Sequence, residues 1–438
     1  MPKTIPKCPE KPVRSASGSE ELSYDIRLHT PMFGGGVEAG KPDPRMPFRA
    51  TAIRGQLQFW WRATVGAGCT DAAELWSKHE RVWGSTAEVS PVRILVEHFN
   101  APEPVPCGKY NEIPPHSGKW RNRWDPVFPE NSLPYALFPF AGEKPERGGD
   151  LPKKNPAVFT PSGTFTLRVI LPERLLNDVR TAILAWVNFG GMGARTRRGC
   201  GSIYCKELTP ADLAGAAALV KELLPNPPKS ERGWPTLGGP LLMGNPVPDA
   251  TQAWASAVGA LQKFRQGEGF ARNRGREGRP GRSLWPEAES IRELAGRRSR
   301  DHRRMENIPN DAFPRAELGL PINFQFKDEK FGDPGKTVLY PIVNGEACDR
   351  KASPLIIKAL GLADNTFVPI VLRLLTTQLD RVALKYDNGP QKYGADAIIR
   401  GNRLAIYPNS PMAGTPSGSA LDAFINFVQD EDVWGVLG

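Results

Sequence analysis

The segment from Asn188 to Ser202, NFGGMGARTRRGCGS, places five glycines and three arginines between a helical pattern and a strand pattern. Glycine lets the backbone adopt positive φ and approach a ligand closely, and arginine adds a planar, permanently charged donor. A Walker A loop would need Gly-Lys-Ser/Thr, and a dinucleotide fingerprint would follow a strand and open a helix. Neither arrangement is present. The segment therefore predicts a loop that contacts a polyanion, and the alternative is a solvated helix-to-strand turn.

The hydrophobic pattern around this loop predicts the order strand, helix, strand, strand, helix, strand. The predicted strands are 24–29, 92–99, 164–171 and 202–207, and the helices begin at Thr51 and Glu173. This is the βαββαβ order of the ferredoxin-like fold, in which two helices cover one face of an antiparallel sheet and leave the other face free to bind. RNA-recognition domains use the same order, although topology alone does not establish RNA binding.

The first predicted helix carries two stripes. At 3.6 residues per turn, the apolar stripe spans about a hundred degrees and must face a core. It consists of Ile53, Leu57, Trp60 and Trp61. A second, basic stripe adjoins it at i, i+4 and i+8. It consists of Arg54, Gln58 and Arg62, with Thr51 as a predicted N-cap and Arg49 just before it. Each arginine alone also fits an ordinary solvated helix position.

A chain of 438 residues is long enough for two domains. We predict an α+β protein with two ferredoxin-like (RRM-like, βαββαβ) domains and long loop insertions, because a proline-rich linker composition appears between two patterned regions. The predicted parts are an N-terminal tail (1–21), a first domain (22–225) with a proline-rich surface insertion of low regularity (100–161), a linker (226–245) and a second domain (246–438).

The positive charge of the chain is concentrated in one segment. The formal net charge is +10, and residues 265–304 hold twelve arginines against six acidic residues, a local excess of six. Such an excess favours an anionic partner. Glycine and arginine interleave here, which predicts a flexible RNA contact through Arg272, Arg274, Arg279 and Arg282, with Phe270 and Trp285 available for base stacking. The alternative is a solvated, arginine-rich loop.

Several classes of function lack a sequence signal. The six cysteines and five histidines are scattered without zinc spacing, so we expect no metal and no cofactor. No signal sequence and no membrane-spanning run is visible, so we expect a cytoplasmic protein with no membrane partner. The acidic residues form no paired-carboxylate pattern, and GDPG at 332–335 fits a turn, so a metal-dependent nuclease or polymerase has no support.

Two motifs, TAIRGQLQFWWRA (51–63) and FGGMGARTRRGCGS (189–202), resemble those of the RAMP superfamily, and most closely the first-subunit family of Cmr (type III-B CRISPR) effector complexes. Weaker matches are TPMFGGG (30–36), GRSLWPEAESIR (281–292), FPRAELGLPINFQF (313–326) and RKASPLIIK (350–358). One departure is Gln58, where the family motif has arginine. The proline-rich insertion also has no clear counterpart in the family.

The resemblance implies a non-catalytic subunit in antiviral defence that contacts the 3′ part of a guide (CRISPR) RNA, a target single-stranded RNA and other Cmr subunits. The expected RNA-binding residues are Arg49, Thr51, Arg54, Gln58, Arg62, Gly191, Gly193, Arg195, Arg197, Arg198, Arg272, Arg274, Arg279 and Arg282. The alternative is a metal-independent RAMP endoribonuclease that processes guide RNA. That reaction needs a general base near neutral pKa, and His29 is the candidate.

Overall fold

The computed structural model describes residues 18–430, except for 39, 114–120, 129, 131, 146–151, 229–231, 276–280, 301, 304–311, 327, 344, 378, 380, 387–391 and 399–409. Most of the predicted tail and the predicted contact Arg279 therefore lie outside the described residues. The protein is a mixed α+β structure with several antiparallel sheets.

The strands, numbered in chain order, are β1 (Ser19–Leu28), β2 (Met32–Phe33), β3 (Arg93–Asn100), β4 (Val105–Pro106), β5 (Gly108–Ile113), β6 (Arg121–Pro126), β7 (Glu143–Pro145), β8 (Pro152–Lys154), β9 (Val158–Thr160), β10 (Gly163–Pro172), β11 (Ile203–Tyr204), β12 (Leu241–Met243), β13 (Ile322–Phe324), β14 (Thr337–Val343), β15 (Glu346–Ala347), β16 (Leu355–Gly361), β17 (Phe367–Arg373), β18 (Arg381–Tyr386) and β19 (Lys392–Ile398). The α-helices are α1 (Ala50–Ala63), α2 (Ala72–Trp83), α3 (Leu133–Leu137), α4 (Leu176–Phe189), α5 (Leu213–Leu223), α6 (Ala250–Gln266), α7 (Glu287–Ala295) and α8 (Ala420–Gln429).

The first domain is built on a four-stranded antiparallel sheet in the order β11-β1-β10-β3. β1 and β10 pair along their whole length, from Ser19 opposite Pro172 to Leu28 opposite Gly163. Buried and exposed residues alternate along β1, as expected for a sheet with one covered face. α1 and α4 pack against each other, and their buried side chains share one hydrophobic core with this sheet.

The predicted apolar face of α1 is confirmed: Ile53, Leu57, Trp60 and Trp61 are each at most 1% exposed. Burying a side chain of this size contributes roughly 1.5–3 kcal/mol, so these residues fix the helix against the sheet. The predicted start of the helix was wrong. α1 begins at Ala50 with Arg49 at the N-cap position and no side-chain cap, and Thr51 is an exposed residue of the first turn.

The predicted second domain (246–438) and β12, which lies in the predicted linker, form a three-stranded antiparallel sheet in the order β12-β17-β16, with α6 against β16 and β17 and with α8 against α6 and β12. Every residue of β16 is buried. Ile356 and Leu360 belong to the core of the first domain, whereas Leu355, Ile357 and Ala359 belong to the core around Trp254 of α6. Because side chains alternate across a strand, β16 joins the two domains through both of its faces.

The insertion between residues 100 and 161 was predicted as an irregular surface excursion, and this was wrong. It contains β4 to β9 and α3, and β9 pairs with β2 and β4. Leu133 and Leu137 of α3 and Phe159 of β9 are buried in the same core as Trp254. The sequence did not predict these strands, because prolines at strand ends interrupt the periodicity by which strands are recognised.

A further antiparallel sheet, β13-β14-β18-β19 with β15 beside β14, follows the second domain's first helix in the chain. Its described core includes Ile291 of α7, Phe313, Leu339 and Leu384. Among the described residues, no helix is long and apolar enough to cross a membrane.

Candidate nucleic-acid interface

The glycine- and arginine-rich loop runs between α4 and β11 and is held by close backbone packing. Gly193, Gly199 and Gly201 have positive φ values of 77°, 82° and 67°. A Cβ atom at Gly199 would collide with the Trp254 ring of the second domain. The glycines at 191 and 193, which we predicted to approach RNA, instead approach the backbone of Gly201 and Phe33. Their role in the structure is to let the loop pack on its own fold.

Arg198 is fixed inside the protein. Its Nη1 donates to the carbonyl oxygen of Leu355 at 3.1 Å and its Nη2 to that of Leu318 at 3.3 Å. The backbone oxygen of Arg198 accepts a hydrogen bond from Trp254 Nε1 at 2.6 Å. Burial lowers the pKa of Arg198 to about 9. The predicted RNA contact at Arg198 is therefore not supported, because this guanidinium ties the loop to the second domain.

Arg197 lies at a cleft between the domains. Its guanidinium carbon is 5.3 Å from the centre of the Phe59 ring, and one of its nitrogens donates to the carbonyl oxygen of Ser353. The cleft has a volume of about 180 Å³. Its lining residues come from α1, the end of α4, the loop and β16, and none is acidic: Gln56, Phe59, Trp60, Phe189, Gly190, Thr196, Arg197 and Ile356.

The wall of this cleft also carries an unused donor. The Nε1 atom of Trp60 is buried without a hydrogen-bond partner. A buried donor left unpaired costs roughly 1–3 kcal/mol. The cleft thus combines one cation with three aromatic side chains, those of Phe59, Trp60 and Phe189.

The arginines of the predicted basic stripe on α1 do not line this cleft. Arg54 donates to the carbonyl oxygen of Val92 at 2.7 Å and to Ser90 Oγ at 2.9 Å, so it holds α1 to the segment before β3. Arg62 Nη1 lies 3.3 Å from His79 Nε2 of α2. Burial and the nearby Arg62 lower the pKa of His79 to about 4. Both arginines therefore serve packing within the first domain, whereas Gln58 is half-buried without a bonded partner.

Sequence reasoning missed the stripe that does face the cleft. Gln56, Phe59 and Trp60 are spaced i, i+3 and i+4, the spacing that places side chains on one helix face. This spacing can be read from the sequence, but the prediction favoured the adjoining stripe because that stripe contains arginines.

The remaining loop arginine, Arg195, has a left-handed backbone with φ 59° and ψ 30°. This conformation costs a non-glycine residue roughly 1–2 kcal/mol. Its Nε atom is buried without a partner, and so is the Nε atom of Arg49. Among the described residues, neither arginine forms an ion pair with a carboxylate.

The arginine-rich segment is mostly tied into the second half of the chain. Arg282 donates to Glu289 Oε1 at 2.6 Å, and Glu289 also binds Arg292 and Arg298. Arg272 is half-buried and Arg274 is exposed. The local excess of charge in the sequence therefore overstates the free positive charge of this region.

Of the two aromatic residues predicted to stack on bases, Trp285 is a core residue. It is fully buried, and its Nε1 donates to the carbonyl oxygen of Arg265 at 3.1 Å. Phe270 is half-buried and packs on Phe427, with 4.7 Å between ring centres. Base stacking at Trp285 was a wrong prediction, because a sequence pattern does not separate a buried aromatic ring from an exposed one.

His29 is half-buried between the first sheet and β16. Its Nε2 lies 3.3 Å from the carbonyl oxygen of Ala359, and burial together with Lys358 lowers its pKa to about 3. A general base near neutrality needs a much higher pKa. The geometry therefore does not favour the ribonuclease alternative at His29.

The outer face of the first sheet was expected to be free for binding. It is exposed, but its charges pair with each other: Arg168 binds Glu21 at 2.5 Å and Glu97 at 3.2 Å. Asp25 accepts a hydrogen bond from Thr166 Oγ1 at 2.8 Å. This face offers a polyanion less positive charge than the cleft does.

Within the described residues, one group has ligand atoms close enough for a metal ion: His302, Asp328 and Asp333. Asp333 is already engaged, because both of its oxygens accept from Arg292 and one also accepts from the Ser299 backbone nitrogen. A cation would have to displace this guanidinium. The residues therefore form an ion-pair cluster between α7 and the segment before β14.

Comparison with known proteins bears on the first domain. The family model of the RAMP superfamily matches residues 25–204. The matched residues include those of α1, the end of α4 and the loop that line the cleft, whereas Ile356 lies outside the match.

A relative is the CRISPR system Cmr subunit Cmr1-2 of Pyrococcus furiosus, which is 26% identical over 193 residues, 43% of this chain and 96% of the relative. Among solved structures, Cmr1 from Pyrococcus furiosus (apo form) is 15% identical and covers 88% of this chain and 95% of its own, with a TM-score of 0.45. A chain of the type III-B Cmr-beta complex bound to cognate target RNA is 13% identical and covers 83% of this chain and 97% of its own, also with a TM-score of 0.45.

Proposed function

We propose that this protein is a Cmr-type subunit of a type III-B CRISPR effector complex that binds single-stranded RNA and catalyses no reaction. The observation that carries the proposal is the cleft at Arg197, where a cation and three aromatic side chains line a space without carboxylates. The similarity of part of the chain to a Cmr1-2 subunit supports the same assignment.

The cleft suits a nucleic acid for physical reasons. Arginine binds phosphate through planar, charge-assisted donors. Aromatic side chains stack on bases with little sequence preference, at roughly 1–3 kcal/mol per base. Phe59 and Arg197 offer both kinds of contact on one side of the cleft. We expect the occupant to be a guide RNA, a target RNA or the duplex between them, with neighbouring Cmr subunits alongside, in the cytoplasm.

The fold is part of the proposal. The order β11-β1-β10-β3 is the spatial arrangement 4-1-3-2 of a βαββαβ unit, and β12-β17-β16 with α6 and α8 repeats its first three strands. We therefore interpret both domains as ferredoxin-like. Ile356 of β16 and residues of the loop are among those that line the cleft.

Binding of a fluorescent single-stranded RNA by the full chain, measured over a range of salt concentrations, tests the proposal. Arg197→Gln should lower the salt slope by about 0.7, the value for one phosphate contact on a single strand. Arg93→Gln, which removes an exposed arginine of β3, is the matched control and should leave the slope nearly unchanged. An unaltered slope in Arg197→Gln, with the melting temperature preserved, would refute the cleft as the binding site.

A further inference from the structure

The cleft at Arg197 has two uncharged polar side chains among its lining residues, Gln56 of α1 and Thr196 of the loop. Both residues are half-buried. Within the part of the chain that the structure describes, no hydrogen bond joins either side chain to another group of the protein. Neither side chain has a polar atom that is buried without a partner. Their donors and acceptors are therefore accessible to a ligand in the cleft.

The surroundings hold each of these two side chains in place. Gln56 lies one helix turn before Phe59 and Trp60, and Trp60 is 1% exposed, so this face of α1 is fixed against the core. The methyl carbon of Thr196 packs beside Gly191, where an added Cβ atom would lie 3.3 Å from it. Because a threonine side chain is stiff about its Cα–Cβ bond, a methyl group held in this way also fixes the direction of the hydroxyl.

Phe59 and Arg197 define where a nucleotide fits. The guanidinium carbon of Arg197 is 5.3 Å from the centre of the Phe59 ring. One nitrogen of Arg197 donates to the carbonyl oxygen of Ser353, and the other donors of the guanidinium remain for a phosphate. A base stacked on Phe59 and a phosphate bound to Arg197 are joined by a sugar, which must lie in the same cleft. Gln56 and Thr196 therefore border the position of the sugar.

The chemistry of the two side chains matches a ribose hydroxyl. A glutamine amide and a threonine hydroxyl each offer a donor and an acceptor. The 2′-hydroxyl also donates and accepts, and it is the group by which a protein distinguishes RNA from DNA. A phosphate oxygen only accepts, so it would leave the acceptors of both side chains without a partner.

We propose that Gln56 and Thr196 bind the 2′-hydroxyl of the nucleotide held by Phe59 and Arg197, so that the cleft selects ribose over deoxyribose. This inference rests on the proposed function, because it assumes that a nucleic-acid strand occupies the cleft. It goes further, since stacking on Phe59 and a phosphate contact with Arg197 are the same for RNA and for DNA. The selectivity comes from one residue of α1 and one residue of the loop.

The first test compares three fluorescent strands bound by the full wild-type chain: oligouridine, its 2′-deoxy form and its 2′-fluoro form. The 2′-fluoro form keeps an electronegative group at the 2′ position but has no proton to donate. The loss of two hydrogen bonds at a half-exposed site should weaken binding of the deoxy strand about tenfold. The 2′-fluoro strand should bind like the deoxy strand. Equal binding of oligouridine and its deoxy form, or a 2′-fluoro strand that binds like oligouridine, overturns the inference.

The second test uses Gln56→Leu/Thr196→Val, which removes both polar groups and keeps side chains of similar size. This variant should bind oligouridine about tenfold more weakly than wild type but the deoxy strand equally well. Gln58→Leu/Thr181→Val is the matched control, because both residues are half-buried and neither lines this cleft, and it should keep the wild-type selectivity. Equal weakening of both strands in Gln56→Leu/Thr196→Val would contradict the inference, because these residues would then only shape the cleft.

The outcomes separate this inference from the proposed function. If wild type binds oligouridine and its deoxy form equally and Arg197→Gln weakens both, the selectivity is refuted and the cleft stands as the binding site. If wild type binds neither strand, the proposed function fails, and this inference fails with it. A melting temperature close to that of wild type verifies that each variant is folded, and the comparison of strands on the wild-type chain needs no variant.

Discussion

The guanidinium of Arg198 donates a hydrogen bond across the domain boundary to the carbonyl oxygen of Leu355, 3.1 Å away. Its neighbour Arg197 lies over Phe59 at the cleft. Both arginines bond to the start of β16, since Arg197 donates to the carbonyl oxygen of Ser353, and Arg197 in addition lines the cleft.

Replacing Arg198 should destabilise the protein. Arg198→Met removes hydrogen bonds from a buried cation to carbonyl oxygens, a loss of about 3 kcal/mol in the free energy of unfolding. Denaturant unfolding of the full chain measures this loss. Arg93→Met is the control and should leave the stability almost unchanged, because Arg93 is exposed. A stable Arg198→Met protein with greatly weakened RNA binding would contradict the structural role.

Lys358 should make stability depend on pH. It is fully buried, its Nζ donates to the carbonyl oxygen of Gly190 at 2.9 Å, and burial lowers its pKa from 10.5 to about 7. Between these two pH values the unfolded chain binds more protons than the folded chain, so stability rises with pH. The rise is at most about 1.4 kcal/mol per pH unit.

Comparison of wild type with Lys358→Met isolates this contribution. The difference in unfolding free energy, wild type minus Lys358→Met, should increase from pH 7 to pH 10 and level off below pH 7. A difference that stays flat over this interval would show that Lys358 has an ordinary pKa in the folded protein.

Phe59 should contribute a stacking contact. Phe59→Leu keeps an apolar side chain at the cleft but removes the aromatic ring, so affinity for single-stranded RNA should fall about fivefold, which corresponds to about 1 kcal/mol. The salt slope should not change, because no phosphate contact is lost. Phe331→Leu, at a residue that is 69% exposed, serves as the control. Equal effects of the two substitutions would argue against a stacked base at Phe59.

The protein should not cleave RNA through His29. End-labelled RNA incubated with the purified chain in the presence of a chelator should remain intact, because a histidine with a pKa of about 3 is a poor base near neutrality. A product with a cyclic phosphate end that disappears in His29→Ala would restore the ribonuclease alternative.

Local patterns in the sequence predicted the buried face of α1 well, because Ile53 and Leu57 are four positions apart and one helix turn brings them together. They did not predict the difference between Arg197, which lines the cleft, and Arg198, which bonds to β16. That difference depends on β16, more than 150 positions later in the chain, which accepts the hydrogen bond of Arg198. Long-range packing of this kind leaves no local periodicity in the sequence.

Long-range packing also explains why the sequence did not predict the burial of Trp285. The segment before it is rich in arginine and glycine, which indicates an open loop, yet Phe264 of α6 packs edge-on against its ring at 5.3 Å between centres. The composition of residues 265–304 correctly predicted a basic segment. Only the tertiary structure shows that Glu289 neutralises much of this charge.

Ultraviolet crosslinking of the full chain to a uridine-rich single-stranded RNA, followed by mass spectrometry of the crosslinked peptides, tests the central claim most directly. We predict crosslinks within 56–60 of α1 and 189–197 of the loop, the two segments that line the cleft. Crosslinks confined to the outer face of the first sheet, around Arg168 and Asp25, would contradict it.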